Sequence, residues 1–246
     1  MKLSWNTPPT QLLLSTRDVH IWRAVIDLPS KSVEEIEGSL SIDEKMKAQH
    51  FRFKRDKSRF IATRGILRLI LGCYLGAEPS AIRFCYEKSG KPRLQNAFAK
   101  TGIQFNLSHS KGLALYIFSH GHEVGVDIEH MREISEMEQI AEQFFSVRDR
   151  VFFGALPRSE KREAFFNLWT RKEAFVKATG DGLSYHLGSF NASVAPGKSL
   201  ELSRMLGVAE EASTWSIGDV RPAEEFAGAF VVEGESWKVQ YWQWPS

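Results

Sequence analysis

Apolar positions along the chain follow two rhythms. Over residues 57–76, "KSRFIATRGILRLILGCYLG", Phe60, Thr63, Leu67, Ile70 and Tyr74 recur at helical spacing while Arg64 and Arg68 share another face. That pattern predicts a long helix ending near Gly76. Just upstream, Ser41 with Glu44 three residues on marks the start of a shorter helix, because the pair satisfies free amides reciprocally. Residues 82–94 place turn chemistry at Ser89 to Pro92 between two extended pieces, and "IQFNLSHS" (103–110) and "GLALYIFS" (112–119) predict strands. "VGVDIE" (124–129), taken as a strand, sends Val124, Val126 and Ile128 to one face and Gly125, Asp127 and Glu129 to the other.

The order then repeats. Ser135 with Glu138 predicts a second capping box leading into Ile140, Ala141, Phe144 and Phe145, and residues 163–182, "EAFFNLWTRKEAFVKATGDG", predict a strong helix capped by Gly180. "SFNASVA" (189–195), "FAGAFVV" (226–232) and "SWKVQYWQW" (236–244) predict further strands. A long helix followed by strands thus occurs twice, and a Thr-Arg pair recurs at a separation of 107 residues, at Thr63-Arg64 and Thr170-Arg171. The expected class is α+β, built as two similar halves, residues 1–122 and 123–246, with "HGHE" (120–123) carrying the chain across.

Composition narrows the class without deciding it. With 246 residues, 43% of them apolar and 25% charged, the chain can bury a core and is neither disordered nor fibrous. No uncharged apolar run approaches the roughly 20 residues of a bilayer span, and the first 18 residues lack the apolar stretch of a secretory signal. Cys73 and Cys85 show no C-x-x-C pattern, so a reducing cytoplasm is expected. Charge alters the picture more. Between Lys45 and Arg68 lie nine Lys and Arg against Asp56 alone, so a local +8 sits within a chain of net charge +2. Such an excess suits phosphates, nucleic acid or an acidic protein partner, or is simply a solvated helical face.

Candidate chemistry gathers in four motifs. In "WTRKEAFVK" (169–177), Trp169, Glu173 and Lys177 follow one another at intervals of four and share a stripe. An exposed Glu to Lys pair is ordinary there, but Asp127 and Glu129 add two carboxylates, and three carboxylates from a strand and a helix suit a hard cation such as Mg²⁺. In "FNLSHS", His109 between Ser108 and Ser110 reads as a general base, a metal ligand, a phosphate donor or a hydrogen-bonded core histidine. No Gly-x-Ser-x-Gly elbow supports a nucleophilic serine. "SGKP" (89–92) offers a turn amide and the Lys91 ammonium to a phosphate, or forms a plain turn.

"SGKP", "FNLSHS", "VGVDIE" and W-x-x-K-E-A-x-x-K, in that order and at those separations, resemble the 4′-phosphopantetheinyl transferases of the surfactin-synthetase-activating type, over residues 41–183. The resemblance implies two α+β halves related by a pseudo-twofold axis, with the active site in the cleft between them. It implies transfer of the phosphopantetheine arm of coenzyme A to a serine hydroxyl of an acyl or peptidyl carrier protein, with release of adenosine 3′,5′-bisphosphate. By position, Asp127, Glu129 and Glu173 would hold Mg²⁺, Glu173 would accept the serine proton and Lys177 would steady the leaving phosphates. Lys47, Arg59, Lys91, Ser108 and His109 would serve the nucleotide end of coenzyme A, and Arg52, Lys54 and Arg55 would face an acidic carrier. A cytoplasmic monomer, without nucleic acid or membrane, is the expectation. Two rivals fit parts of the pattern: a metal-dependent nuclease, and a non-catalytic module binding coenzyme A or a carrier.

Overall fold

Both long helical patterns become helices, and each lies on a sheet. The computed structural model describes residues 4–180, 187–192, 203–204 and 215–245. In chain order these form β1 (Asp18–Val25), α1 (Ser30–Glu37), α2 (Ile42–Gln49), α3 (Lys54–Leu75), β2 (Phe84–Tyr86), β3 (Pro92–Leu94), β4 (Ile103–Ser110), β5 (Leu113–His120) and β6 (Val124–His130). There follow α4 (Met137–Phe144), α5 (Val147–Gly154), α6 (Arg158–Thr179), β7 (Ser203–Arg204), β8 (Trp215–Val220), β9 (Phe226–Glu233) and β10 (Lys238–Gln243). The class is α+β.

One four-stranded sheet has the order β10-β1-β5-β4 and the other β6-β9-β8-β7, with β2 and β3 as a separate hairpin. Side-chain alternation stacks these into layers. On the first sheet, Trp22, Ala24, Ala114, Tyr116 and Phe118 face Ala62, Ile66, Leu67 and Ile70 of α3. On the second, Ala227, Ala229, Val231 and Ile217 face Phe165, Phe166, Ala174, Phe175 and Ala178 of α6. The opposite faces, Val19, Ile21, Leu115 and Ile117 against Val124, Val126, Ile128, Phe230 and Val232, share a core of their own. A helix–sheet–sheet–helix sandwich results, the apolar side of "VGVDIE" packed in its middle.

α3 stops where a left-handed residue is needed: Gly76 caps it at φ 59°, a conformation costly to any residue with a Cβ. The Ser41–Glu44 capping box forms as expected. The expected box at Ser135 does not. α4 begins at Met137 with Glu136 at its N-cap, so Ser135 lies one residue too early. "SFNASVA" is not a strand over its described part: Leu187–Ser189 is a single 3₁₀ turn, and the nearby backbone groups bond to buried side chains instead of a ladder. Residues 193–195 of that segment lie outside the described residues.

The sequence pattern predicts none of α1, α5, β1, β7 and β8. β1 is buried on both faces, so "DVHIWRAV" shows no clean alternation. β10 does not stay with the expected second half. It crosses back to pair in parallel with β1, Asp18 opposite Lys238 through Arg23 opposite Gln243, and thereby completes the first sheet. Its Trp242 packs into the α3 core, which rewards the long return.

β4 and β6, from different sheets, lie side by side without sharing a ladder. Every second residue of β4 reaches across: Asn106 Oδ1 accepts from the Val126 amide (3.1 Å), Ser108 Oγ donates to Asp127 Oδ1 (2.8 Å), and Ser110 Oγ donates to Glu129 Oε2 (3.1 Å). The period-two spacing of these polar groups follows from the strand geometry.

Candidate active site

The site begins at a missing side chain. A Cβ on Gly125 would stand 2.0 Å from the Ala174 carbonyl oxygen and 2.5 Å from the Ala178 nitrogen, so only glycine lets α6 lie backbone to backbone on β6. Two and four residues on, Asp127 and Glu129 emerge on this same face beside the α6 stripe of Glu173 and Lys177. Lys177 Nζ donates to Asp127 Oδ1 (2.6 Å) and to Ser108 Oγ (2.8 Å), closing a triangle whose third side is the serine to aspartate bond.

Asp127 is 3% exposed, and its other oxygen, Oδ2, is buried with no hydrogen-bond partner. An unsatisfied buried carboxylate oxygen carries a desolvation cost of about 1–3 kcal/mol or more, and calls for an explanation. Glu129 is pushed above its ordinary value, first by burial and then by the Asp127 charge; Glu173 is raised by the same causes in the same order. Two acids raised beside the buried Asp127 carboxylate, which itself has an oxygen left over, make a donor set fit for a hard cation. Among the described residues no three His, Cys, Asp or Glu side chains already converge as a formed metal centre. The Lys177 ammonium stands against Asp127 instead.

Glu173, Lys177 and Ser108 line one end of a cavity of about 720 Å³. Its further wall carries Phe60, Lys47 and Tyr86. His109 also faces it, from an exposed position on the strand, and its imidazole is held below the usual value by the crowding around it and then by the Lys177 and Arg59 cations. A neutral ring able to donate one N–H is the result at pH 7.

Two expected phosphate ligands already hold carboxylates: Lys91, which also lines the cavity, and Arg59. Lys91 is 6% exposed, and its ammonium donates to Glu123 Oε2 (3.0 Å), Val124 O (3.2 Å) and Ala178 O (2.8 Å), which uses all three donors. It fastens the "SGKP" turn to β6 and to the end of α6. Arg59 makes a two-pronged pair with Asp27, Nε to Oδ1 at 2.6 Å and Nη2 to Oδ2 at 2.7 Å, and lies outside the cavity lining. Arg64 and Arg68 of the basic segment are likewise spent: both are buried on Glu44 of α2. Residues whose part is not read from sequence include Asn106 and Ser110, which the alternation in "FNLSHS" could have flagged, and Gly125, which lies within "VGVDIE" but carries no charge to mark it.

The family described as the 4′-phosphopantetheinyl transferase superfamily matches residues 123–231, and the family described as 4′-phosphopantetheinyl transferase, N-terminal, matches residues 29–119. The 4′-phosphopantetheinyl transferase HetI of Nostoc sp. is 37% identical over 98% of this chain and 98% of its own. The chain belongs to the 4′-phosphopantetheinyl transferase family. It is an enzyme of that class. The transferase is also 30% identical to the 4′-phosphopantetheinyl transferase Sfp of Bacillus subtilis, over 67% of this chain and 70% of that one. A crystal structure of a holo-(acyl-carrier-protein) synthase from Bacillus anthracis in complex with CoA is similar at a TM-score of 0.37 and 22% identity, covering 46% of this chain and 96% of that one.

Proposed function

We propose that the transferase takes the phosphopantetheine arm from coenzyme A and places it on a serine hydroxyl of an apo acyl or peptidyl carrier protein, in a Mg²⁺-dependent reaction run in the cleft between its two halves. The observation that carries the reading is Asp127, buried with Oδ2 unsatisfied beside Glu129 and Glu173 and bonded to Ser108 and Lys177 of the cavity lining. In the transfer the serine oxygen forms a bond to the β-phosphorus as its bond to the bridging oxygen breaks, and adenosine 3′,5′-bisphosphate departs.

Asp127, Glu129 and Glu173 would hold the metal, which when bound supplies charge neutralisation at the diphosphate. Glu173, facing the cavity, takes the proton of the incoming serine. Lys177 leaves Asp127 for the departing phosphate, an exchange of one oxyanion for another within the reach of a flexible side chain. Ser108 keeps Asp127 in place meanwhile. His109 and Lys47, on the cavity wall, meet the nucleotide phosphates.

The reading also has the enzyme act as a cytoplasmic monomer, without nucleic acid or membrane. Supporting it, Cys73 and Cys85 are free and exposed, and among the described residues no helix is long and apolar enough to cross a membrane. The test is incubation with coenzyme A, Mg²⁺ and apo carrier proteins of fatty-acid and peptide-synthetase type, followed by mass spectrometry. A gain of roughly 340 Da on the carrier is expected, the mass of the transferred arm. No gain on any carrier would sink the reading.

A further inference from the structure

Away from its site face, α6 is held by a buried ion pair. Lys172 and Asp149 are each 0% exposed, with Lys172 Nζ 2.9 Å from Asp149 Oδ2. The ammonium also donates to the carbonyls of Leu187 (2.7 Å) and Phe190 (2.8 Å) and lies 4.4 Å from the centre of the Phe190 ring. Asp149 accepts from the Ala192 amide at 3.1 Å on both oxygens. Alongside, Arg171 donates to Ala192 O (3.0 Å) and pairs with Asp219 of β8. Three structural pieces, α5, α6 and the turn at 187–192, are therefore joined at one buried charge.

We infer that Lys172 and Asp149 are positioning residues which set the rotation and depth of α6, and through them the place of Glu173 and Lys177 against Asp127. This rests on the function proposed above. Lys172 and Glu173 are successive residues of one helix, about 100° apart around its axis, so fixing the direction of one fixes the other. Gly125 defines how near α6 comes to β6. The ion pair adds directional bonds, to one carboxylate and two carbonyls, that bear on the rotation of the helix. A buried pair is a costly way to gain stability, and apolar side chains of similar volume often serve equally well. Its use here beside Glu173 matches a demand for register.

The test separates register from stability. Lys172→Met alone removes the cation beside the buried Asp149 carboxylate and is expected to lower the melting temperature. Lys172→Met combined with Asp149→Leu replaces the pair by apolar groups and is expected to regain part of that loss, the backbone bonds of Leu187, Phe190 and Ala192 being lost with it. Its kcat, measured well below the melting temperature, stays roughly 10- to 100-fold under wild type, the effect of a displacement near 1 Å at a reacting centre. A folded double variant with wild-type kcat overturns the inference. Should the double variant fail to fold, Asp149→Asn, which keeps shape and an acceptor, decides in the same way: folded with kcat down about tenfold or more supports positioning, and wild-type kcat refutes it. Wild-type enzyme runs in parallel. If it modifies no carrier, the proposed function has failed; if it is active and the variants match it, only this inference has.

Discussion

Gly125→Ala is the smallest change that ought to separate the two walls of the site. The added methyl would lie 2.0 Å from Ala174 O and 2.5 Å from Ala178 N, where ordinary contact begins at 3.4 Å, so strand and helix must part by about 1.4 Å. Both clashing atoms are backbone, and no rotamer change relieves them. Overpacking of this kind costs about 1–3 kcal/mol, here near the upper end, which in a chain of 246 residues lowers Tm by roughly 6–12 °C. The greater effect is on chemistry. Lys177 now sits 2.6 Å from Asp127, and moving α6 outward by more than an ångström carries Glu173 and Lys177 away from Asp127 and Glu129 together. A shift of that size is expected to cut kcat roughly 100-fold. Gly154→Ala is the control: an added Cβ there meets nothing within 4 Å, and in a helix it should be neutral or stabilising by up to about 1 kcal/mol. Both variants would be assayed by carrier mass gain and thermal melting. A Gly125→Ala enzyme with wild-type kcat and Tm would show that α6 does not rest on this glycine.

Glu173→Ala should lower carrier modification at least about 1,000-fold while Tm stays near wild type, since it removes an acid that faces the cavity. Full activity would remove Glu173 from the mechanism. Lys91→Met should act on stability, at about 2 kcal/mol in urea unfolding, with KM for coenzyme A changed less than about threefold, because its three bonds all go to protein; a large KM effect with intact stability would restore it as a phosphate ligand. His20, buried between Tyr74 and Gln240, is held down to about 4 by its burial. The unfolded chain protonates this histidine near 6.5, so its contribution is complete above that pH and is lost as the pH falls towards 4, up to about 3 kcal/mol. Urea titrations at pH 7 and pH 5 on wild type and His20→Gln would check this, and an equal pH slope in both would refute it.

Much of this was legible from local pattern. The end of α3 at Gly76, the box at Ser41 and the two faces of "VGVDIE" each depend on a few neighbouring residues, so sequence alone discloses them. What stayed hidden was partnership over distance. Charge marks Arg59 and Lys91 as cations, but nothing near them shows that Asp27 and Glu123, each 32 residues away, have already taken them. β1 was missed because two cores claim its two faces and erase the alternation. Lys172 looked like an ordinary member of a helical motif, since its burial depends on Asp149 and on a turn that follows the helix.

The parallel pairing of β10 with β1 bears on how the protein is made. β1 pairs with β5 first and acquires its second neighbour only after residue 238 has left the ribosome, about 220 residues after β1 itself. Until then the first sheet waits with an open edge, and contacts of such sequence separation form slowly. Any product cut short before that strand would display the edge for good, available to a second unfinished copy or to a chaperone. Synthesis of this enzyme therefore has its riskiest interval late, when nearly all of the catalytic residues are already in place.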